Sequence, residues 1–316
     1  MKKGLNILVT GCGGDIGQSI GKILVKSAYT KNLYGIDISD KNAAQFIYPN
    51  FSIGLRYTHP EYLEQLEMFI ETNDIDIIIP IAEPELRYFS EQNILNIIGN
   101  AKMITASSMA LKVGFDKFKT AEFLKDEGLP FPKTHLATDL KSLKLFPAIL
   151  KSRTGSGSKD IYKINTKDEF SFYTRNNIED FVVQEFITDK NGEFTCGLFR
   201  SSKGEIRSQI FKRELHGGYS GYGEVIENKI ITTLLEELAV KLDLLGSINI
   251  QLRMTGNLPK IFEINPRFSS TVLYRHLFGF EDLIWSIEDR LGLELSDNRQ
   301  EFIGRKFYKG YVEYIK

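Results

Sequence analysis

The chain has 316 residues, of which 42% are hydrophobic and 26% are charged, and its formal net charge is −1. This length excludes a single small module and allows two or three packed subdomains. The composition is that of a globular protein without low-complexity segments or an apolar run of membrane-spanning length. The charges of both signs are interspersed, so nucleic acid and anionic membranes are not expected partners, and a small-molecule substrate is favoured.

The N-terminus carries basic residues, and a short apolar run then leads directly into a glycine-rich turn. This run is too short for a secretory signal peptide, so we interpret it as a first strand and expect a cytoplasmic protein. The two cysteines, Cys12 and Cys196, cannot form a disulfide framework and lack the neighbours of a zinc site. Both are expected to be packing residues.

The opening of the chain has the pattern of a dinucleotide-binding βαβ unit. A strand over residues 5–10 runs into a loop that begins with Gly11 and ends with Gly17, a helix follows, and the second strand ends at Asp37. Glycines permit a tight turn against a helix N-terminus, and Asp37 stands where a ribose-binding acid is expected. One hypothesis is therefore an NAD(P)-dependent reductase. Against it, no tyrosine is followed by a lysine four residues later, so the catalytic pair of short-chain dehydrogenases is missing.

Helices and strands continue to alternate after this unit. The predicted elements are a helix over residues 60–72, a buried strand over 75–80, a helix over 87–92 and a short strand around 103–105. This alternation predicts an open parallel sheet. We therefore predict an α/β protein whose first domain is Rossmann-like and covers residues 1–113.

The next segment begins with an amphipathic helix that Gly128 and two prolines terminate. A strand over residues 146–151 then delivers Lys151 to a loop rich in glycine and serine, and another strand follows over residues 161–164. Such a loop can present backbone N–H groups to phosphate oxygens while a lysine adds positive charge. The alternative is a surface hairpin loop, because the order of a Walker A motif is absent.

Two apolar strands adjoin a break near residue 188, with Glu185 before the break and Glu193 after it. A hinge of this kind can bond an adenine edge and a ribose. The alternative is a pair of exposed acids at strand ends.

A strand over residues 205–213 is followed by residues 214–224, which we predict to be a polar loop. This loop and the residue before it supply our candidates for contacting an acceptor substrate. They are Arg213, His216, Tyr219, Tyr222 and Glu224.

After a helix over residues 229–242, two alternating apolar runs flank a turn around Gly256 and predict a β-hairpin. Because side chains alternate along a strand, we expect Glu263 to face the same way as Asn265, and Phe262 and Ile264 to face the core.

In the expected register Gln251 lies opposite Glu263, with Asn265 alongside and Arg267 beyond the strand end. Three oxygen-bearing side chains beside an arginine suit a hard cation and a phosphate. A solvated strand face is the alternative, and a slip of one residue would scatter the group.

The order of these motifs resembles the ATP-grasp superfamily, and in particular one synthetase half of the carbamoyl phosphate synthetase large subunit. The resemblance covers essentially the whole chain. The motifs that carry it are Asp116-Lys117, residues 147–151 with the following loop, Gln184-Glu185-Phe186-Ile187 with Glu193, Gln251, and Glu263-Ile264-Asn265-Pro266-Arg267. It implies a two-lobed α+β ATP-grasp fold behind the first domain, with a lid subdomain over residues 114–187 and a C-terminal subdomain over residues 188–316.

The resemblance also implies a role for each matching residue. Those expected to contact the ATP phosphates are Lys117, Lys151, Gly155, Ser156, Gly157 and Ser158. Those expected to contact the nucleoside are Glu185, Ile187 and Glu193. Those expected to hold Mg²⁺, with Mn²⁺ as the alternative ion, are Gln251, Glu263 and Asn265. Arg267 is expected to face the transferred phosphoryl group, and Arg267 and Lys151 are the expected catalytic residues.

Phosphoryl transfer requires positioning and charge neutralisation, which two lysines, a divalent cation and an arginine can supply. We therefore expect an ATP-dependent ligase that joins a carboxylate to an amine, or to a related nucleophile, through an acyl phosphate. A second synthetase half and a Cys–His glutaminase pattern are missing, so we expect a stand-alone ligase rather than carbamoyl phosphate synthesis. The sequence does not decide whether the protein forms a homodimer. The alternatives are the reductase described above and a non-catalytic nucleotide-binding protein.

Overall fold

The computed structural model describes residues 4–139, 146–155, 160–175, 178–188, 190, 192–299 and 302–315. These residues form three sheets, one parallel apart from an edge strand and two antiparallel. The predicted α/β class and its N-terminal parallel sheet are confirmed, whereas the domain boundaries after residues 113 and 187 stay predictions. Among the described residues, no helix is both long and apolar enough to cross a membrane.

The first sheet has the spatial order β3-β2-β1-β4-β6-β5, with β5 antiparallel to β6 and the other pairs parallel. Its strands are β1 (Leu5–Thr10), β2 (Thr30–Asp37), β3 (Asn50–Ile53), β4 (Ile77–Pro80), β5 (Ile97–Ile98) and β6 (Ala101–Met103). The helices of this part are α1 (Asp15–Leu24), α2 (Tyr62–Thr72), α3 (Glu83–Glu91) and α4 (Ser108–Gly114). Helix α3 begins four residues before the predicted start, because Pro84 is accommodated in its first turn.

Successive side chains of β1 pack on opposite faces of this sheet. Ile7 and Val9 pack in one apolar cluster with Ile20 of α1, whereas Leu8 packs in another with Leu66 of α2. The carboxyl ends of β1 and β4 lie side by side where the strand order reverses, which is the usual position of a ligand crevice in open α/β sheets.

The second sheet has the order β7-β10-β8-β9 and is antiparallel. Its strands are β7 (Thr134–Leu136), β8 (Ala148–Ser152), β9 (Ile161–Ile164) and β10 (Phe181–Glu185), and the helices beside it in sequence are α5 (Lys117–Asp126) and α6 (Lys167–Thr174). Asp116 caps α5 by accepting hydrogen bonds from the N–H groups of Phe118 and Lys119. The helix ends before Gly128, whose φ of 70° lies in the left-handed region that commonly follows the last turn of a helix.

The third sheet has the order β15-β14-β11-β12-β13-β16 and is antiparallel throughout its described pairs. Its strands are β11 (Glu193–Arg200), β12 (Ile206–His216), β13 (Tyr219–Ile226), β14 (Gly246–Thr255), β15 (Leu258–Asn265) and β16 (Lys306–Tyr308). The remaining helices are α7 (Lys229–Lys241), α8 (Val272–Leu277) and α9 (Asp282–Arg290). The main core lies between this sheet and α4, α5 and α7.

The prediction that residues 214–224 form a loop is wrong. These residues form the ends of β12 and β13, and the chain turns at Gly217 and Gly218, whose φ angles are 59° and 86°. Two consecutive residues with positive φ suit a tight hairpin turn whose twist matches that of the strands. The high polarity of the segment concealed this turn signal.

The glycine-rich turn after β1 is held by the protein's own atoms. A Cβ at Gly17 would lie within 2.5–2.7 Å of backbone atoms of Cys12, so the close packing of α1 on the turn requires glycine there. The N–H of Gly13 donates a hydrogen bond of 2.7 Å to Asp37, and a Cβ at Gly13 would meet Asn42 and Asp37. These contacts explain Gly13 and Gly17 by packing.

We predict that Gly17→Ala lowers the free energy of unfolding by about 3 kcal/mol, because the methyl group would press on backbone that cannot move away easily. The measurement is urea-induced unfolding. Gly14→Ala is the matched control: a Cβ at Gly14 has no neighbour within 4 Å, and its cost should stay below about 1 kcal/mol. Equal losses in the two variants would contradict the packing role of Gly17.

Candidate active site

A cavity of about 700 Å³ lies among the three sheets, and most of the predicted site residues line it. The predicted residues in its wall are Lys117, Lys151, Gly155, Glu185, Ile187, Glu193, Arg213, Tyr219, Gln251, Glu263, Asn265 and Arg267. Ser156, Gly157 and Ser158 lie outside the described residues. The fold therefore gathers into one cavity positions that are up to 150 residues apart in the sequence, from Lys117 to Arg267.

His216, Tyr222 and Glu224 are described but do not belong to the cavity wall. They lie on the β12–β13 hairpin, where alternation turns only part of the side chains towards the cavity. Tyr222 packs against Tyr308 of β16, with 5.3 Å between ring centroids, and Glu224 pairs with Lys306 in the same strand ladder. The loop assumed from the sequence would have allowed all three to converge, and the hairpin does not.

The β14–β15 hairpin supplies one end of the cavity. Its turn pairs Thr255 with Leu258, a register that by itself would set Gln251 opposite Phe262. A register shift between Gln251 and Leu252 adds one residue to β15, so that Gln251 pairs with Glu263 instead. The predicted pairing of Gln251 with Glu263 is confirmed, and Asn265 pairs with Asn249 two residues further along each strand.

The prediction that Phe262 faces the core is wrong. Phe262 is half-buried and lines the cavity, whereas Ile264 is buried in the core as expected. The extra residue of β15 interrupts the simple alternation, so that Phe262 and Glu263 both reach the cavity.

Lys151, at the end region of β8, is buried with 4% exposure. Its ammonium group donates hydrogen bonds to Gln184 Oε1 at 2.9 Å and to the backbone carbonyl of Phe262 at 3.1 Å. Burial lowers the pKa of Lys151 to about 8; the nearby Glu263 carboxylate opposes this effect, and Lys117 adds to it. A bound anion would restore the charged form.

Lys117 is the first residue of α5, and its ammonium group donates to the carbonyl of Gly155 at the start of the glycine–serine loop. Arg153, two residues earlier in that loop, donates to both carboxylate oxygens of Asp116 at 3.0 Å. Burial opposes the ionisation of Asp116, but the bonds from Arg153 and from the Phe118 N–H outweigh it and hold the pKa of Asp116 below its usual value. The described part of the loop is thus tied to the N-terminus of α5.

The two acids predicted at the nucleoside end are both ion-paired. Glu185 accepts from Lys260 at 2.9 and 3.0 Å. Glu193 lies between two guanidinium groups and accepts from Arg213 at 2.7 Å and from Arg253 at 2.6 Å. Arg213, which we assigned to the acceptor side, also donates to Gln251 Oε1 at 2.9 Å and so connects this pair to the hairpin.

The side chain of Arg267, which we expected to face a phosphoryl group, is only 16% exposed, and its guanidinium group lies 3.9 Å from the Glu83 carboxylate. Burial lowers the pKa of Arg267, and Glu83 and Glu263 oppose that effect, so the group keeps its charge. Burial also raises the pKa of Glu83, against the attraction of Arg267 and Lys117. This end of the cavity therefore brings the cations of Lys117, Lys151 and Arg267 close to the carboxylates of Glu83 and Glu263.

The opposite wall carries a smaller polar group near the N-terminus of α1. Asp15 lines the cavity and accepts a hydrogen bond of 2.5 Å from Lys309, whose ammonium lies 4.9 Å from the ring centroid of Tyr219. The segment after β16 thereby joins the β12–β13 hairpin to the first sheet at the edge of the cavity.

Comparison with known protein families agrees with this geometry. The family described as the ATP-grasp domain matches residues 115–271. These residues are an ATP-grasp domain. The matched region includes α5, the lysines of the cavity and the whole β14–β15 hairpin.

Two relatives match the chain to different extents. The coenzyme gamma-F420-2:alpha-L-glutamate ligase of Methanococcus maripaludis is 30% identical over 145 residues, which are 40% of this chain and 48% of that protein. The carbamoyl phosphate synthase large chain of Caldanaerobacter subterraneus subsp. tengcongensis is 24% identical over 321 aligned positions, which cover 92% of this chain and 29% of that one. The chain thus spans less than half of the length of either relative.

Among solved structures, the ADP complex of N5-carboxyaminoimidazole ribonucleotide synthetase superimposes with a TM-score of 0.73, covering 95% of this chain and 80% of the other. The two sequences are 15% identical, so the likeness is one of fold. It confirms the expected arrangement, in which a parallel sheet precedes the ATP-grasp domain.

The sequence analysis gave no site role to several cavity residues, among them Arg253 and Glu83. Arg253 lies on β14, donates to Glu193, and donates to the Ile187 carbonyl at 2.7 Å. Glu83 follows the end of the buried strand β4 by three residues, and its position near the carboxyl end of a parallel strand was the available signal. Arg253 gave no such signal, because its role depends on strand pairing across the sheet.

We predict that Glu193→Gln lowers the free energy of unfolding by about 3–5 kcal/mol, because Arg213 and Arg253 lose their shared buried counter-charge. Denaturant unfolding of the wild type and the variant measures this loss. Asp243→Asn is the control: its partner is Arg200, but the Asp243 side chain is 87% exposed, and the change should stay below about 1 kcal/mol. A Glu193→Gln loss as small as the control would contradict a structural role for this ion-pair cluster.

Proposed function

We propose that the protein is an ATP-dependent ligase that activates a carboxylate as an acyl phosphate and transfers the acyl group to an amine. The observation that carries the proposal is the convergence of Lys117, Lys151 and Arg267 with the oxygen-bearing face of the β14–β15 hairpin in one cavity. The ATP-grasp domain and its ligase relatives support the general class. The carboxylate–amine chemistry is our inference from the site.

In this proposal the ATP phosphates lie between the two lysines and Arg267. Lys151 and Lys117 neutralise phosphate charge, and Arg267 faces the phosphoryl group in transfer, where charge spreads over its oxygens. The described part of the glycine–serine loop contributes Gly155 through its contact with Lys117. Glu185, Ile187 and Glu193 would contact the nucleoside at the hinge, where Glu193 is already fixed by its arginines.

The donor set of the hairpin fits Mg²⁺, with Mn²⁺ as the alternative. Gln251, Glu263 and Asn265 offer oxygen ligands with one carboxylate, and Mg²⁺ prefers to complete its octahedron with phosphate oxygens and water. When bound, the ion would neutralise phosphate charge and help to orient the transferred group. Among the described residues, no group of three or more His, Cys, Asp or Glu could hold a metal ion.

The reaction proceeds in two steps. A carboxylate oxygen of the substrate attacks the γ-phosphorus of ATP, the bond from that phosphorus to the bridging oxygen breaks, and ADP leaves. The nitrogen of the amine then attacks the acyl carbon, inorganic phosphate departs, and the nitrogen loses a proton. Arg213 and Tyr219 are the candidates from the acceptor set that line the cavity, and Asp15 beside Tyr219 offers a carboxylate to an amine.

The alternative reductase is less well supported. The Asp37 carboxylate is turned towards the N–H of Gly13 at 2.7 Å and also accepts from the N–H of Ser39, so its oxygens hold the turn in place. A nicotinamide cofactor that stabilises the protein while ATP does not would favour the reductase. ATP binding without turnover across a broad panel of carboxylates and amines would favour a nucleotide-binding protein without catalysis.

We predict that Glu263→Ala reduces Mg²⁺-dependent ADP release by about two to three orders of magnitude, because metal-held stabilisation of the transition state is worth several kcal/mol. The assay is ADP release over a panel of carboxylates paired with amines. Glu236→Ala, at an exposed position of α7, is the control and should keep wild-type activity. Wild-type turnover in Glu263→Ala would remove the hairpin from the mechanism.

We predict that the affinity for Mg·ATP falls as the pH rises above about 8, by at most about tenfold per pH unit. The reason is that Lys151 has its pKa lowered to about 8 in the free protein, so the neutral form, which attracts phosphate less, dominates above that pH. Calorimetric titrations between pH 7 and 9.5 measure the effect. Adenosine, which lacks phosphates, is the control ligand and should bind independently of pH. A constant affinity for Mg·ATP over this range would contradict contact between Lys151 and the phosphates.

A further inference from the structure

A second cavity, of about 580 Å³, opens beside the first, which we call the ATP cavity after the ligand we propose for it. Gly11, Ala82 and Pro84 line both cavities, so the two are separated only by the ends of β1 and β4 and by the first turn of α3. The second cavity then runs along α2, and its wall reaches from Tyr62 to Asn73 at the two ends of that helix. Eleven helical steps correspond to about 16 Å, so the cavity is long enough for an extended chain. We call it the side groove.

The side groove exists because one part of the first sheet lacks a covering helix. The connection between β2 and β3 contains a 3₁₀ turn, Ala43–Phe46, which packs with α1 on the other face of the sheet. On the groove face, β2 and β3 are therefore bordered by the flank of α2. The apolar side chains left along this opening are Ile36, Ile38, Ile53, Leu55, Met68 and Phe69.

Three of these side chains are exposed although they lie in a concave wall. Ile38 is 50% exposed, Ile53 is 60% exposed and Met68 is 59% exposed. Isolated exposed aliphatic residues are ordinary on a protein surface, but here they border one cavity that continues into a nucleotide site. Covering them with an apolar ligand would remove this surface from water.

The end of the side groove next to the ATP cavity is acidic. Glu85 is buried with 8% exposure and accepts hydrogen bonds of 2.6 Å from both Thr10 and Tyr62. Asp37 lines the same end. Among the lining residues that the structure describes, Arg56 is the one basic side chain, and it is exposed. Burial raises the pKa of Glu85, against the hydrogen bonds from Thr10 and Tyr62. The two acidic side chains, Glu85 and Asp37, disfavour an anionic ligand and favour one with a positive or hydrogen-donating head.

We propose that the side groove holds the apolar part of the acceptor, so that the acceptor is an amine with an aliphatic or aromatic extension. The amine passes the junction at Gly11 and Ala82 to reach the acyl phosphate, while its extension lies along α2 against Ile53 and Met68. This inference rests on the proposed ligase function for the role of the amine. The occupancy of the groove by an amphipathic amine is a separate physical claim.

The test of occupancy is calorimetry with unbranched amines on the full chain, without nucleotide. Butylamine, hexylamine and octylamine should bind with affinities that rise about fourfold per methylene group, the factor expected for burial of each CH₂. Octanoate should bind more weakly than octylamine. Equal affinity for the three amines, or tighter binding of octanoate, would overturn the proposal.

Substitutions in the side groove test whether the amines bind there. Met68→Glu and Ile53→Lys place a charge in the groove at exposed positions that folding tolerates, and both should abolish the dependence on chain length. Val240→Lys, on α7 and with a matching exposure of 61%, should keep it. Retention of the dependence in both groove variants would place the amines elsewhere and overturn the proposal.

Turnover separates this inference from the proposed function. If the ligase proposal is correct, kcat/KM should rise with the chain length of the amine, as the affinities do. In Met68→Glu, kcat/KM should no longer depend on chain length, whereas activity with ethylamine should be kept. Binding that depends on chain length without any ADP release would refute the ligase and support the groove. ADP release with ethylamine and octylamine at equal efficiency would refute the groove and support the ligase.

Discussion

Strand β15 contains one residue more than β14 between their turn and the cavity, and the arrangement of the site depends on this residue. In the register set by the turn, Glu263 would stand opposite Ile250, a fully buried core residue. A carboxylate on that face would be removed from water without a partner, which is costly. The register shift instead turns Glu263 to the cavity beside Gln251. It also places the Phe262 carbonyl where it accepts a hydrogen bond from Lys151, so one local irregularity connects two lobes of the site.

The electrostatics of the cavity follow from how its cations are paired. Glu193 is shared by Arg213 and Arg253, and these ion pairs fix the wall near the hinge before any ligand binds. Lys151 and Arg267 are buried, and burial lowers the pKa of each. Such groups gain most from a polyanion, because a phosphate supplies the charge that water no longer screens. Nucleotide binding should therefore also stabilise the folded protein, since a ligand that binds only the native state shifts the folding equilibrium.

The first sheet contributes to both cavities through one topological feature. Its strand order reverses between β1 and β4, and the loops after these strands form the boundary between the ATP cavity and the side groove. The short 3₁₀ connection between β2 and β3 leaves the neighbouring surface open. A sheet that ordinarily frames the nucleotide cleft thus gains a second, largely apolar recess. The same glycine-rich turn that suggested a dinucleotide site packs on Asp37 and Cys12, and part of it lines the first cavity.

By itself the sequence determined the order of elements, the class of fold and most of the polar residues of the cavity. Strand and helix periods are local properties, and the lysines, the hinge acids and the Glu-x-Asn-x-Arg motif could be recognised from their spacing. Only the tertiary structure showed that Phe262 reaches the cavity, that residues 214–224 form a hairpin, and that Arg253 and Glu83 join the site. These features depend on strand register and on contacts between distant segments. A shift of one residue reverses the face of every side chain beyond it, and no local pattern records that shift.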